Sequence, residues 1–162
     1  MEEPVVYDGT AGASSQYSAS YSAQKAFNQE NPRWCSKAGY PAKIWFKFRS
    51  AVKVMKISFS SVENGKHGYE WKQSPKTFNM IASNDCRTWD TLLSVTNSGF
   101  TGQNQEHSWL IPPTQQKSYR CYGIEGIENL GYGKHYISLT NLKMFQYSGI
   151  LYSNSRKSAT SY

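Results

Sequence analysis

At 162 residues, of which 38% are hydrophobic, the chain has the size of one ordinary domain, without an apolar run able to span a bilayer or a signal-like apolar stretch after Met1. Aromatic residues at 15%, led by 12 Tyr and 5 Trp, against 18% charged residues favour strands over helices, because rings pack well on pleated surfaces. The formal net charge of +7 would draw anionic lipid head groups, sulfated or sialylated glycans or nucleic acid, but the lysines are dispersed and no nucleic-acid reader motif accompanies them.

In chain order, residues 1–9 read as a leader strand before the domain proper, with an acidic start, a proline and a glycine. A short helix is expected in SAQKAF (22–27). The apolar pattern then runs with period two through KIWFKFRS (43–50), VKVMKISFSS (52–61), KTFNMIAS (76–83), HSWLIPP (107–113), YRCYGIEG (119–126) and ISLTNLKMFQY (137–147). Six short strands separated by Gly, Pro, Asn and Ser predict an antiparallel sandwich or jelly roll spanning 10–147. No internal repeat points to a propeller or solenoid, and 148–162 reads as a flexible, polar, basic tail or linker. Three long loops, 28–42, 62–73 and 125–136, are rich in Gly, Asn, His, Tyr and Lys, a composition suited to polar recognition on a rigid β scaffold.

Cys35, Cys86 and Cys121 lack the paired spacing of a zinc site; either all three are free or one pair forms and one remains. The odd count and the absence of Asn-x-Ser/Thr sequons point away from secretion. Nothing in the sequence resembles a nucleophile elbow, a P-loop or paired catalytic carboxylates, so a non-catalytic role is expected. His67, in GKHGY, and His135, in GYGKHY, each follow a lysine and sit near a tyrosine. That combination offers planar hydrogen-bonding groups and an aromatic face for a sugar ring, although solvated loop histidines look the same in sequence.

Four ordered stretches resemble the discoidin domain, or coagulation-factor type C domain, of the galactose-binding-like superfamily. They are ASSQYSASYSAQKAFNQENPRWCS, with Ala23, Ala26, Phe27, Asn28 and Trp34 at the family's opening; KIWFKF, with Trp45 on the first long core strand; SPKTFNMIASNDCRTWDTL; and YRCYGIEG followed by ISLTNLKMFQYSG. The resemblance implies an all-β sandwich that makes Trp34, Trp45, Trp71 and Trp89 core or corner residues; Trp109 is also read as core. It implies a lectin-like module for galactose-type glycans, working outside the cell or at its surface, in cell adhesion for example. It places the ligand on end loops, with candidates Asn64, Lys66, His67, Tyr69 and Glu70 before the SPK strand, Arg33 and Tyr40 in the first loop, and Tyr132 and His135 in the third. No cofactor is expected beyond a structural calcium, for which Asn28 and Asn141 stand where relatives carry acidic residues. Cys86 replaces the glycine of the family's Ser-Asn-Asp-Gly turn, so either the turn differs or a non-glycine residue takes a positive φ. Anionic-membrane binding through Trp34 and neighbouring lysines, and a protein-interaction role in a homo-oligomer or larger multidomain assembly, are the alternatives.

Overall fold

A computed structural model describes residues 1–28 and 33–148. Ten antiparallel strands form two sheets, the sandwich expected from the alternating pattern. In chain order they are β1 (Glu2–Pro4), β2 (Gly9–Ala13), β3 (Trp34–Cys35), β4 (Ala42–Val52), β5 (Lys56–Ser60), β6 (Pro75–Ser83), β7 (Asp90–Val95), β8 (Glu106–Leu110), β9 (Tyr119–Asn129) and β10 (Ser138–Tyr147). One sheet runs β1-β10-β5-β8, with β3 also paired to β10, and the other runs β2-β4-β9-β6-β7.

Alternation decides which side chains enter the core. On β4, Ala42, Ile44, Phe46 and Phe48 are buried while Lys47 and Arg49 face water, as a strand with one covered face requires. Ile57 and Phe59 of β5, Phe78 and Met80 of β6, Tyr122 and Ile124 of β9, and Leu139 and Leu142 of β10 join them in one apolar cluster. Tyr122 brings its hydroxyl into this core and satisfies it on the carbonyls of Val52 (2.8 Å) and Lys117 (2.7 Å).

Several elements differ from the expectations. The helix foreseen over 22–27 is a pair of 3-10 turns, Ala19–Tyr21 and Ala23–Ala26, separated by an extended Ser22. Runs this short cannot repay the cost of nucleating an α-helix. The stretch read as a leader, 1–9, contributes β1, paired to β10, and Val5 to the core. The tail beyond Ser148 lies outside the described residues, as do 29–32 of the first loop. β2, GTAGA, has no apolar alternation because Gly12 lies beneath Trp45: a Cβ there would stand 2.5 Å from the indole nitrogen.

The tryptophans divide. Trp34 is fully buried and donates its indole N–H to the Ser15 carbonyl at 3.1 Å, so it cannot be the outward-pointing membrane anchor that the alternative reading needed. Trp109 packs on Phe59 and Phe78, each at 4.9 Å between ring centres. Trp45 and Trp89 meet at 5.6 Å and, like Trp71, are only partly covered. Of the cysteine alternatives, one bridge and one thiol is what is found: Cys86 bonds Cys121 across 5.7 Å between Cα atoms, and Cys35 is buried and free. Cys86 itself carries a φ of 56°, the strained option left open by the missing glycine. Asp85 holds the same turn, accepting hydrogen bonds from the backbone N–H of Thr88 (2.8 Å) and Arg87 (2.9 Å) and from the Ser83 hydroxyl (2.8 Å).

Candidate functional site

Antiparallel pairing brings the loops after β2, β5 and β9 to one end of the sandwich, because Ala13 pairs with Ile44, Ser60 with Thr140, and Pro75 with Asn129. Backbone hydrogen bonds then tie these loops together: Tyr17 N–H to the Cys35 carbonyl (2.7 Å), Leu130 N–H to that of Lys72 (2.8 Å), and Gly39 N–H to that of His135 (2.9 Å). Two buried polar residues shape the individual loops. Glu70, 5% exposed, accepts the N–H of Gly65 (2.7 Å) on one carboxylate oxygen and that of His67 (2.6 Å) on the other. Asn129 accepts from Gly131 and Tyr132 and donates to the carbonyls of Lys134 (3.0 Å) and Tyr136 (2.9 Å). Burial works against ionising Glu70, yet the backbone N–H groups of Gly65, His67 and Glu70, with the nearby His67 ring, together outweigh it and hold the carboxyl below its ordinary value.

Between the loops lies an open cleft of about 320 Å³, within the range of small-ligand sites. Tyr17, Tyr21, Tyr132 and Tyr136 wall it, and Arg33, Lys66, His67, Glu70, Gln73 and Lys134 bring polar groups to it. The aromatic wall is continuous: Tyr21 to Tyr17 (5.8 Å), Tyr17 to Tyr136 (5.5 Å), Tyr136 to Tyr132 (6.1 Å), Tyr132 to Tyr69 (5.7 Å) and Tyr69 to His67 (5.8 Å). Such ring-to-ring spacing lets each tyrosine brace its neighbour while leaving faces turned to solvent. At the base, Gln73 Oε1 accepts from Arg33 Nη2 (3.0 Å) and from the Ser138 hydroxyl (2.9 Å). The Arg33 guanidinium also lies 5.3 Å from the Tyr21 ring centre, a cation–π contact. Burial pushes the neighbouring Cys35 thiol up, away from the thiolate needed for nucleophilic chemistry.

Of the candidates read from sequence, Arg33, Lys66, His67, Glu70 and Tyr132 line the cleft. Tyr69 stands beside it, 47% exposed, between His67 and Tyr132. Asn64 turns its side chain inward to accept the Trp71 N–H at 3.2 Å. Tyr40 and His135 stack on each other at 4.6 Å, and the Tyr40 hydroxyl accepts the Asn129 N–H; neither lines the cleft. Tyr17, Tyr21, Gln73 and Tyr136 line it without having been singled out. Their only trace in the sequence is an excess of tyrosine near loops, since nothing local says that residue 17 will meet residue 136. The calcium candidates fall elsewhere: Asn28 is exposed at the end of the second 3-10 turn, and Asn141, with a φ of 51°, sits where the β10–β5 register shifts. Among the described residues, no group of three or more His, Cys, Asp or Glu is placed to hold a metal ion.

The family model for the F5/8 type C domain matches residues 10–134, and the chain belongs to that family. Similar solved structures are carbohydrate-binding modules of family 32. The module of Clostridium perfringens NanJ, solved with galactose, is 18% identical, with 90% of this chain and 100% of that one covered and a TM-score of 0.69. The CpGH89 module from the same organism, solved with GalNAc-β-1,3-galactose, is 14% identical over 85% and 94%, with a TM-score of 0.68. The AlyQ module, solved with 4,5-unsaturated mannuronic acid, is 21% identical over 87% and 98%, with a TM-score of 0.65. No curated protein sequence matches the chain.

Proposed function

We propose that the chain is a non-catalytic carbohydrate-binding module that takes galactose-type glycans in the cleft between its end loops. The observation that carries this reading is the tyrosine wall set beside fixed polar groups in one open cleft. A pyranose ring has an apolar face and a belt of hydroxyls, and it is held by an aromatic face on one side and hydrogen-bonding side chains on the other. Tyr132 supplies the face, His67 and Arg33 the polar contacts, and Glu70 the support that keeps His67 and the 65–70 backbone in place. Structural neighbours solved with galactose and with GalNAc-β-1,3-galactose support the ligand class. An open cleft of this size makes few contacts, so tight binding calls for several copies on one scaffold.

Calorimetric titration with methyl β-galactoside tests the assignment. Millimolar-range binding is expected, and His67→Ala combined with Tyr132→Ala is expected to weaken it by about tenfold or more through loss of the stacking face and a polar contact. Absence of binding by the wild type, or full binding by the double variant, would sink this reading. Vesicles rich in phosphatidylserine are expected not to bind, because Trp34 is committed to the core.

A further inference from the structure

The hydrogen-bonding inventory of the cleft is lopsided. Among the described lining side chains, the one carboxylate and the one side-chain amide oxygen are both already engaged. Glu70 spends one oxygen on Gly65 and the other on His67, and Gln73 Oε1 takes Arg33 and Ser138 together. The tyrosine hydroxyls can still donate or accept, but the full charges left open to a ligand are positive. Arg33 has one amino group on Gln73, and its Nε is buried without a partner. Lys66 and Lys134, both exposed, form no ion pair among the described residues, where Glu125, Asp8, Glu2 and Glu106 pair with Lys43, Arg49, Lys56 and Lys143. Among the described residues, three cationic side chains, of which Arg33 is held in place, therefore line the cleft beside one carboxylate that faces the backbone. A neutral hexose can pair with the tyrosine hydroxyls but brings no counter-charge to these cations, whereas an anionic group answers them directly.

We infer that the cleft selects acidic saccharides, sugars bearing a carboxylate or a sulfate, over their neutral counterparts. The inference rests on the proposed carbohydrate site and sharpens its ligand. Arg33, held by Gln73 and the Tyr21 ring, is the anchored cation for the acidic group, and Lys66 and Lys134 add charge from the two loops that carry them. The ring still stacks on the tyrosine wall, so the sugar scaffold is unchanged and the acid adds affinity and a dependence on salt.

The test titrates the chain with methyl galactoside, galacturonate and 6-sulfogalactoside at low and high salt. Expected is binding of at least one acidic sugar about tenfold or more tighter than the neutral one, as a charge-assisted hydrogen bond would give, narrowing as salt rises. Galacturonate ahead of the sulfated sugar assigns a carboxylate reader and the reverse order a sulfate reader; either supports the inference. In Lys66→Gln/Lys134→Gln the acidic-to-neutral ratio is expected to fall toward one, while Lys47→Gln, on the outer face of β4, leaves it unchanged. Equal binding of acidic and neutral sugars by the wild type overturns the inference and leaves the carbohydrate site standing. So does an equal fall in the ratio with Lys47→Gln, which would trace the preference to net charge. Absence of binding to all three sugars overturns both.

Discussion

Single residues in this domain do work that their chemical type does not announce. Glu70 reads in sequence as a ligand-binding carboxylate in a polar loop, but its two oxygens are anchors for the backbone of that loop. Glu70→Gln is expected to loosen residues 65–70 and weaken glycan binding without emptying the cleft of charge; hydrogen exchange at the Gly65 and His67 amides, which should speed up, checks this. Asp85 is the parallel case in the β6–β7 turn. The N–H groups of Thr88 and Arg87 and the Ser83 hydroxyl pull its carboxyl down to about 2. A carboxyl depressed on folding adds stability that is fully present above the ordinary aspartate value, near pH 4, and is lost as pH falls through about 2. Asp85→Asn is therefore expected to remove part of the acid-limb dependence between those values, measured as the unfolding midpoint against pH. Cys86 was legible as an oddity, a non-glycine residue in a glycine position, yet its partner was not, because Cys121 lies 35 residues away. Under non-reducing conditions one thiol is expected to react once the chain is unfolded and none rapidly while it is folded. Reduction is expected to cost about 2–4 kcal/mol, read by denaturant unfolding.

At the scale of elements, the strands with alternating apolar residues were readable and those without them were not. β5 and β10 fall within stretches whose period-two pattern predicts them, and β4, β6, β8 and β9 overlap such stretches and run past their ends, since each has a face on the core. β2, β3 and β7 were not foreseen as strands, being short or at a sheet edge; β2 is defined by what covers it, the Trp45 indole lying across Gly12. β9 shows the same close approach, where a Cβ on Gly123 would stand 2.0 Å from the Ile44 carbonyl oxygen. Gly123→Ala is expected to destabilise the fold by about 1–3 kcal/mol or more through forced separation of β4 and β9, measurable as a drop in Tm. The loops were correctly bounded only in part: 125–129 continues β9, and 70–73 closes as a 3-10 turn that seats Glu70 and Gln73.

For the whole molecule, the sandwich separates the packed core from the candidate cleft. The two sheets are held by a core in which Trp34 is the largest fully buried side chain, and Trp34→Ala is expected to cost about 3–5 kcal/mol, seen in chemical unfolding. The candidate cleft lies at the loop end, where tyrosines from residues 17–21 and 132–136 line it together with Arg33 and His67. Only the closure of the sandwich could bring those segments together.

The sequence by itself determined the class of fold and the family, because alternation along each strand and the order of four motifs depend only on local spacing. It also marked Arg33, Lys66, His67, Glu70 and Tyr132, the candidates that line the cleft. The tertiary structure alone decided which thiols pair, that Trp34 faces inward, that Glu70 and Gln73 have spent their acceptors, and that Tyr17 stands against Tyr136. All but the Glu70 contacts, which stay within residues 65–70, join segments far apart in the chain. Local pattern sets which face of a strand is buried, but which residues meet across a cleft is set by how two sheets and three loops close on one another.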